Sequence, residues 1–134
     1  MKTSLILALP PFVLAAAPGP RAAADEVSQQ KLRSNVEKLV SFGTRHTLSS
    51  QTDPERAMGA ALRWGEEEFA RYSQACGGCL EIVTPSDTVT GRRVPNPTLV
   101  KDVLAIQRGT TDPNRVIIIS GHIDSRVSDV MDFT

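Results

Sequence analysis

Aromatic residues are scarce in this chain, at 4% of 134 residues, so any core must be built mainly from Val, Ile, Leu and Ala. Net charge of one sign is also missing. The 15 Lys and Arg residues balance the 15 Asp and Glu residues, and no stretch is strongly basic, which excludes a nucleic-acid footprint. No apolar run reaches the ~20 residues that span a bilayer. There is no internal repeat, and two cysteines cannot complete a four-cysteine zinc site. What is present is ordinary for a globular protein: 40% apolar and 22% charged residues, in a length that suits one domain.

The first 24 residues differ from the rest. Lys2 gives a short positive start, and Leu5 to Ala17 is apolar apart from Pro10 and Pro11. Small-residue cleavage sites follow at Ala15-Ala16-Ala17 and Ala22-Ala23-Ala24. This three-part layout predicts an export signal over residues 1–24, with an Ala/Pro-rich disordered tail as the alternative. The expected location is periplasmic or secreted, with no stable membrane insertion once the signal is removed. Cleavage after Ala24 would remove Lys2 and Arg21, leaving 13 basic against 15 acidic residues in a domain of residues 25–134.

Two helices are expected first. Leu32, Val36, Leu39 and Val40 recur at helical spacing between Asp25 and Ser41. Phe42-Gly43-Thr44-Arg45-His46 breaks that pattern, and a polar loop follows from Thr47 to Thr52. Asp53 suits an N-cap with Pro54 in the first turn, ahead of a face formed by Met58, Leu62, Gly65, Phe69 and Tyr72. Glu66, Glu67 and Glu68 read as a solvated surface rather than as catalytic acids.

Beyond Cys76-Gly77-Gly78-Cys79 the period changes. Leu80 to Thr84 reads as a strand, residues 85–98 as an irregular connection broken by Pro85, Gly91, Pro95 and Pro97, and Leu99 to Gln107 as a second extended stretch. After a turn at Gly109 to Asn114, Val116-Ile117-Ile118-Ile119 has the composition of a strand buried on both faces. The pattern predicts an α/β architecture with a hairpin between the last two strands.

The chemistry concentrates after that strand. In Gly121-His122-Ile123-Asp124-Ser125, extended backbone would send His122 and Asp124 to the same side. Open α/β sheets commonly bind ligands at the carboxyl ends of their strands. A zinc-bound histidine usually has its other N–H held by a carboxylate or carbonyl, which Asp124 could supply. Spacing alone fits a structural histidine–acid pair better.

The run Val116 to Ser125, however, resembles the first metal motif of the secreted co-catalytic di-zinc aminopeptidases, the family that contains bacterial leucyl aminopeptidases. Further segments are similar in order: Phe42 to His46, the helix around Arg63-Trp64, the turn Tyr72 to Gly78, and Asn96-Pro97-Thr98 leading into Val103 to Ile106. The resemblance spans essentially all of residues 25–134. It implies the N-terminal part of a three-layer zinc-peptidase fold around a central mixed sheet, incomplete in this chain. It further implies two Zn2+ ions in the intact enzyme, with His122 as a metal ligand and Asp124 as the catalytic-site residue that orients it. A peptide substrate would lose its N-terminal residue, with a glutamate outside the zinc shell as general base.

In that family the remaining ligands lie downstream of the His-x-Asp motif, and the nearby Asp129 and Asp132 do not match the next motif. The expectation is therefore a truncated chain, inactive alone, with an exposed Val116–Ile119 strand. Alternatives are a related zinc carboxypeptidase or glutaminyl cyclase, or a non-catalytic binding module. Cys76 and Cys79 leave a redox pair, half a zinc site or a local disulfide open, with a small disulfide or two structural thiols preferred after export. His46 either reaches a substrate or interface or stabilises its loop.

Overall fold

The computed structural model describes residues 19–126. The bulk of the expected export signal, residues 1–18, and the acids Asp129 and Asp132 lie outside the described residues. Three helices precede the strands: α1 (Pro20–Asp25), α2 (Gln29–Ser41) and α3 (Ala57–Ala75). Among the described residues, no helix is long and apolar enough to cross a membrane.

Helix α2 begins later than Asp25 because Ser28 caps it, its Oγ accepting the Lys31 N–H at 3.2 Å. It ends at Phe42, and Gly43 follows with φ +72°, a left-handed turn that glycine adopts without a Cβ penalty. Of the predicted apolar face, Leu39 packs on the core, whereas Leu32, Val36 and Val40 remain more than half exposed.

Helix α3 starts at Ala57, not at the predicted Asp53-Pro54. Asp53 instead closes a separate turn, its Oδ1 accepting the N–H groups of Glu55 at 2.8 Å and Arg56 at 2.9 Å. Ala57, at φ +64°, divides that turn from the helix. The first N–H groups of α3 are then satisfied from a distance: Ala57 donates to Phe42 O, Met58 to Ser49 Oγ, and Gly59 to Ser50 O, at 2.8, 3.1 and 3.0 Å. The Thr47–Thr52 loop thus serves as the helix cap. Met58 to Leu62 is buried, and Phe42, Ala60 and Ala61 form the centre of a small core with Leu39, Trp64 and Ile123 against it. The Phe42 and Trp64 rings meet at 6.2 Å, tilted by 53°.

Four strands follow: β1 (Glu81–Val83), β2 (Ser86–Gly91), β3 (Val94–Lys101) and β4 (Leu104–Ile106). The predicted irregular connection over residues 85–98 is therefore largely a β-hairpin, with β2 and β3 paired antiparallel around Arg92-Arg93. Strand β4 pairs antiparallel with β1, not with Val116–Ile119 as expected. The register is shared: Glu81 faces Ile106 and Ser86 faces Lys101, so both ladders belong to one long ribbon. It is interrupted beside Pro85, which has no N–H, although Asp102 N still donates to Pro85 O at 3.0 Å. Near the tip, Val89 faces Thr98 and Gly91 faces Val94, so Pro95, Asn96 and Pro97 oppose Thr90 alone. The prolines that suggested a loop sit in a bulge, where no ladder bond is demanded of them.

Val116–Ile119 is unpaired and 77–95% exposed, so the exposure expected of this segment is observed, whereas a strand buried on both faces is not. Its β-branched composition needs neighbouring strands to form a ladder, and the described residues supply none there. The architecture is mixed α/β with two small antiparallel sheets, and no central mixed sheet forms among the described residues.

Two of the three glutamates of α3 also differ from a merely solvated face. Glu66 meets Lys101 of β3 as an ion pair without hydrogen-bond alignment. Glu68 pairs with Arg71 and, at 3.6 Å, with Lys31 of α2, while Glu67 is exposed. Burial alone would raise the Glu68 pKa, but the hydrogen bond and charge of Arg71, with Lys31, bring it below the usual value.

Candidate functional site

Ile123 determines where its neighbours point. Its side chain packs against the Phe42–Ala60–Ala61 core, and its Cδ1 lies 3.6 Å from where a Cβ on Gly65 would be. His122 and Asp124, one residue to either side, are outside that core. The predicted shared side is observed, with His122 Nδ1 3.0 Å from Asp124 Oδ1. The imidazole is 95% exposed and the carboxylate 45%, so Nε2 is open to solvent. With Nδ1–H donating to the carboxylate, the Nε2 lone pair is free to accept a ligand.

Arg45 holds this turn from behind. Its N–H donates to Ser125 Oγ at 2.7 Å, and Ser125 N–H donates back to Arg45 O at 3.0 Å. The guanidinium Nε donates to Ile123 O at 3.0 Å, while Nη1 donates to Leu39 O and to Gly43 O. Gly43 makes this possible, because its left-handed turn lets the chain fold back over the last carbonyls of α2. Burial lowers the Arg45 pKa, and the charge of Asp124 opposes that shift.

A cleft of about 270 Å³ opens beside the pair, with Thr47, Gln51, Lys101 and Asp102 among its walls. The Thr47–Thr52 loop and the end of β3 thus bring polar groups next to His122 and Asp124. His46, by contrast, is turned into its own loop. It is buried, its Nδ1 accepts the Leu48 N–H at 3.1 Å, and its carbonyl accepts the Ser49 N–H at 2.9 Å. Loop stabilisation is the role its geometry shows.

The donor set tests the expected metal only in part. An exposed imidazole with its second nitrogen on a carboxylate fits one zinc ligand and its orienting partner. Among the described residues, no three His, Cys, Asp or Glu side chains gather closely enough to hold a metal ion. Cys76 and Cys79 do not contribute, because they are joined in a disulfide closed by Gly77 and Gly78, both at positive φ. Sequence reading did not find Arg45 or Ser125 as parts of this site. Their only signal was the similarity of Phe42 to His46 and of the His-x-Asp-Ser run to one family.

Several relatives of this chain are named probable zinc metalloproteases. One from Pyricularia oryzae is 46% identical over 114 residues, which cover 84% of this chain and 23% of the relative. One from Leptosphaeria maculans is 41% identical over 115 residues, covering 85% of this chain and 27% of the relative. A third, from Pyrenophora teres f. teres, is 40% identical over 84% of this chain and 24% of its own length. The chain therefore spans about a quarter of the length of these relatives. No family profile matches the chain. No solved structure matches it either.

Proposed function

We propose that this chain is the His-x-Asp segment of an exported zinc metallopeptidase of the aminopeptidase type. In this reading His122 is a zinc ligand through Nε2, and Asp124 fixes the ring by accepting from Nδ1. The observation that carries it is the solvent-facing His122–Asp124 pair at 3.0 Å, in a chain 38–46% identical to proteins named for zinc proteolysis. The aminopeptidase type rests on the resemblance of the Val116–Ser125 run and of Phe42–His46. Export rests on the layout of the first 24 residues. The three-layer fold is part of the same proposal, with Val116–Ile119 pairing when neighbouring strands are supplied.

Bound at such a site, zinc supplies Lewis acidity toward a peptide carbonyl and lowers the pKa of bound water. The residues of this chain do the positioning. Asp124 holds the Nδ1 proton, which leaves Nε2 as the ligating atom. Ile123 anchors the turn in the core, and the adjacent cleft offers Lys101, Asp102 and Thr47 to a polar peptide backbone.

The test is zinc content and hydrolysis of aminoacyl anilides by the full gene product, with free and blocked N-termini. His122→Ala is expected to reduce both zinc content and turnover, and only free N-termini should be cleaved. Unchanged zinc content and activity in His122→Ala would overturn the ligand assignment. Cleavage of N-blocked substrates at equal rates would overturn the aminopeptidase type.

A further inference from the structure

The interval between Arg45 and Ser125 is long in sequence, yet their backbones exchange two hydrogen bonds, one through the serine hydroxyl. Between the two lies the Ile123 carbonyl, which accepts from Arg45 Nε at 3.0 Å. That carbonyl belongs to the peptide unit that carries the Asp124 N–H, so holding it fixes the plane from which the Asp124 side chain departs. Asp124 in turn holds His122 Nδ1 at 3.0 Å. The other end of the guanidinium is fixed on Leu39 O and Gly43 O, at the carboxyl end of α2. Five donors in a planar fork can satisfy several carbonyls at once, which an ammonium group on a flexible stem does less rigidly.

We infer that Arg45 is a positioning residue for the metal-binding pair, transmitting the fixed end of α2 through the Ile123 carbonyl to Asp124 and so to the His122 ring. The inference rests on the reading of His122 as a zinc ligand. The hydrogen bonds of Arg45 go to Ser125, Ile123, Leu39 and Gly43, not to the imidazole. Arg45 acts by narrowing the positions of Asp124, and so the orientation and tautomer of His122. Without it, Asp124 would still be present but would hold Nδ1–H in only a fraction of conformers. Outer partners of this kind commonly change metal affinity 10- to 100-fold. Ser125 serves the same end from the other side, and its removal leaves the α2 contacts of Arg45 in place.

The experiment uses the full gene product with four variants: Arg45→Ala, Arg45→Lys, Ser125→Ala and His122→Ala. The first readout is the His122 ring-nitrogen NMR spectrum of the metal-free protein above the imidazole titration, which reports the tautomer. The second is zinc affinity by chelator competition. The wild type is expected to hold the proton on Nδ1. Arg45→Ala should shift the ring toward the Nε2–H form and weaken zinc binding roughly 10- to 100-fold. Ser125→Ala should do so more mildly, and Arg45→Lys should recover part of both effects.

A wild-type tautomer and affinity in folded Arg45→Lys and Ser125→Ala would overturn the inference, even if Arg45→Ala fails to fold. Loss of thermal stability in Arg45→Ala with an unchanged tautomer would reduce Arg45 to a structural brace and overturn it as well. If His122→Ala leaves zinc affinity untouched, it is the ligand reading that fails. The tautomer measurement, made without metal, then still decides whether Arg45 orders the pair.

Discussion

Gly59 and Gln51 are in such close contact that a Cβ on the glycine would stand 2.1 Å from the Gln51 carbonyl oxygen. The neighbouring Gly59 N–H to Ser50 O bond, at 3.0 Å, draws the loop onto the helix at this point. In an exposed helix, Gly→Ala gains about 1 kcal/mol. Here the sign reverses, because the obstacle is backbone and cannot turn aside. Gly59→Ala is expected to destabilise the fold by about 1–3 kcal/mol, measured by denaturant unfolding. A stabilised variant would show that the loop does not sit against the helix.

Two residues earlier the opposite outcome is expected. Ala57 is a non-glycine residue with φ +64°, at the junction between the Asp53 turn and α3. A left-handed conformation costs an L-residue roughly 1–2 kcal/mol, which glycine avoids while giving back part of it as chain entropy. Ala57→Gly should therefore raise stability by about 0.5–1 kcal/mol, a small increase in melting temperature. A fall of similar size would place Ala57 in ordinary helical geometry.

Acid should loosen the same region. The backbone N–H groups of Glu55 and Arg56 hold the Asp53 pKa below the usual aspartate value, and the charges of Arg56 and Arg63 assist. A carboxylate whose folded pKa is depressed contributes stability above its unfolded value and loses it as pH falls through the folded value. Asp53 should thus contribute fully near neutrality and progressively less below about pH 4. Glu68, also lowered, acts in the same direction. Asp53→Asn should flatten the fall in melting temperature between pH 5 and pH 2, an approximate window set by ordinary carboxylates. An equally steep curve in the variant would remove Asp53 from the account.

The disulfide is expected to be irrelevant to metal binding. Gly65 is where α3 meets Ile123, and Cys76 lies 11 residues further along, about 16 Å at the helical rise. The paired change Cys76→Ser with Cys79→Ser should lower thermal stability while zinc affinity stays within twofold. A loss of zinc binding in that variant would revive the half-site reading of the Cys-x-x-Cys motif.

These cases show why the sequence was legible in some places and not in others. The strand at Leu80–Thr84 and the buried end of α3 follow from local composition, and both appear close to where the pattern puts them. The start of α3 does not, because Asp53-Pro54 is a sound local cap signal overridden by Phe42, Ser49 and Ser50, whose groups arrive from elsewhere. Pro95 and Pro97 are penalised by any local reading of a strand, and only the register reveals the bulge that accommodates them. Val116–Ile119 has strand composition without strand partners, so propensity alone could not make it a ladder. At the site, the adjacency of His122 and Asp124 is written in their spacing. The grip of Arg45 on Ile123 spans 78 positions and leaves no periodic trace.

The bulge has a further consequence for behaviour in a crowded solution. An exposed ribbon edge invites a strand from another molecule, because each free N–H and C=O is a potential rung. At Pro95 and Pro97 two rungs lack their donor, and the bulge bends the backbone away from the line a second strand would follow. Edge-to-edge growth is therefore checked near the tip of the hairpin. The ribbon thus carries its own stop signal against polymerisation.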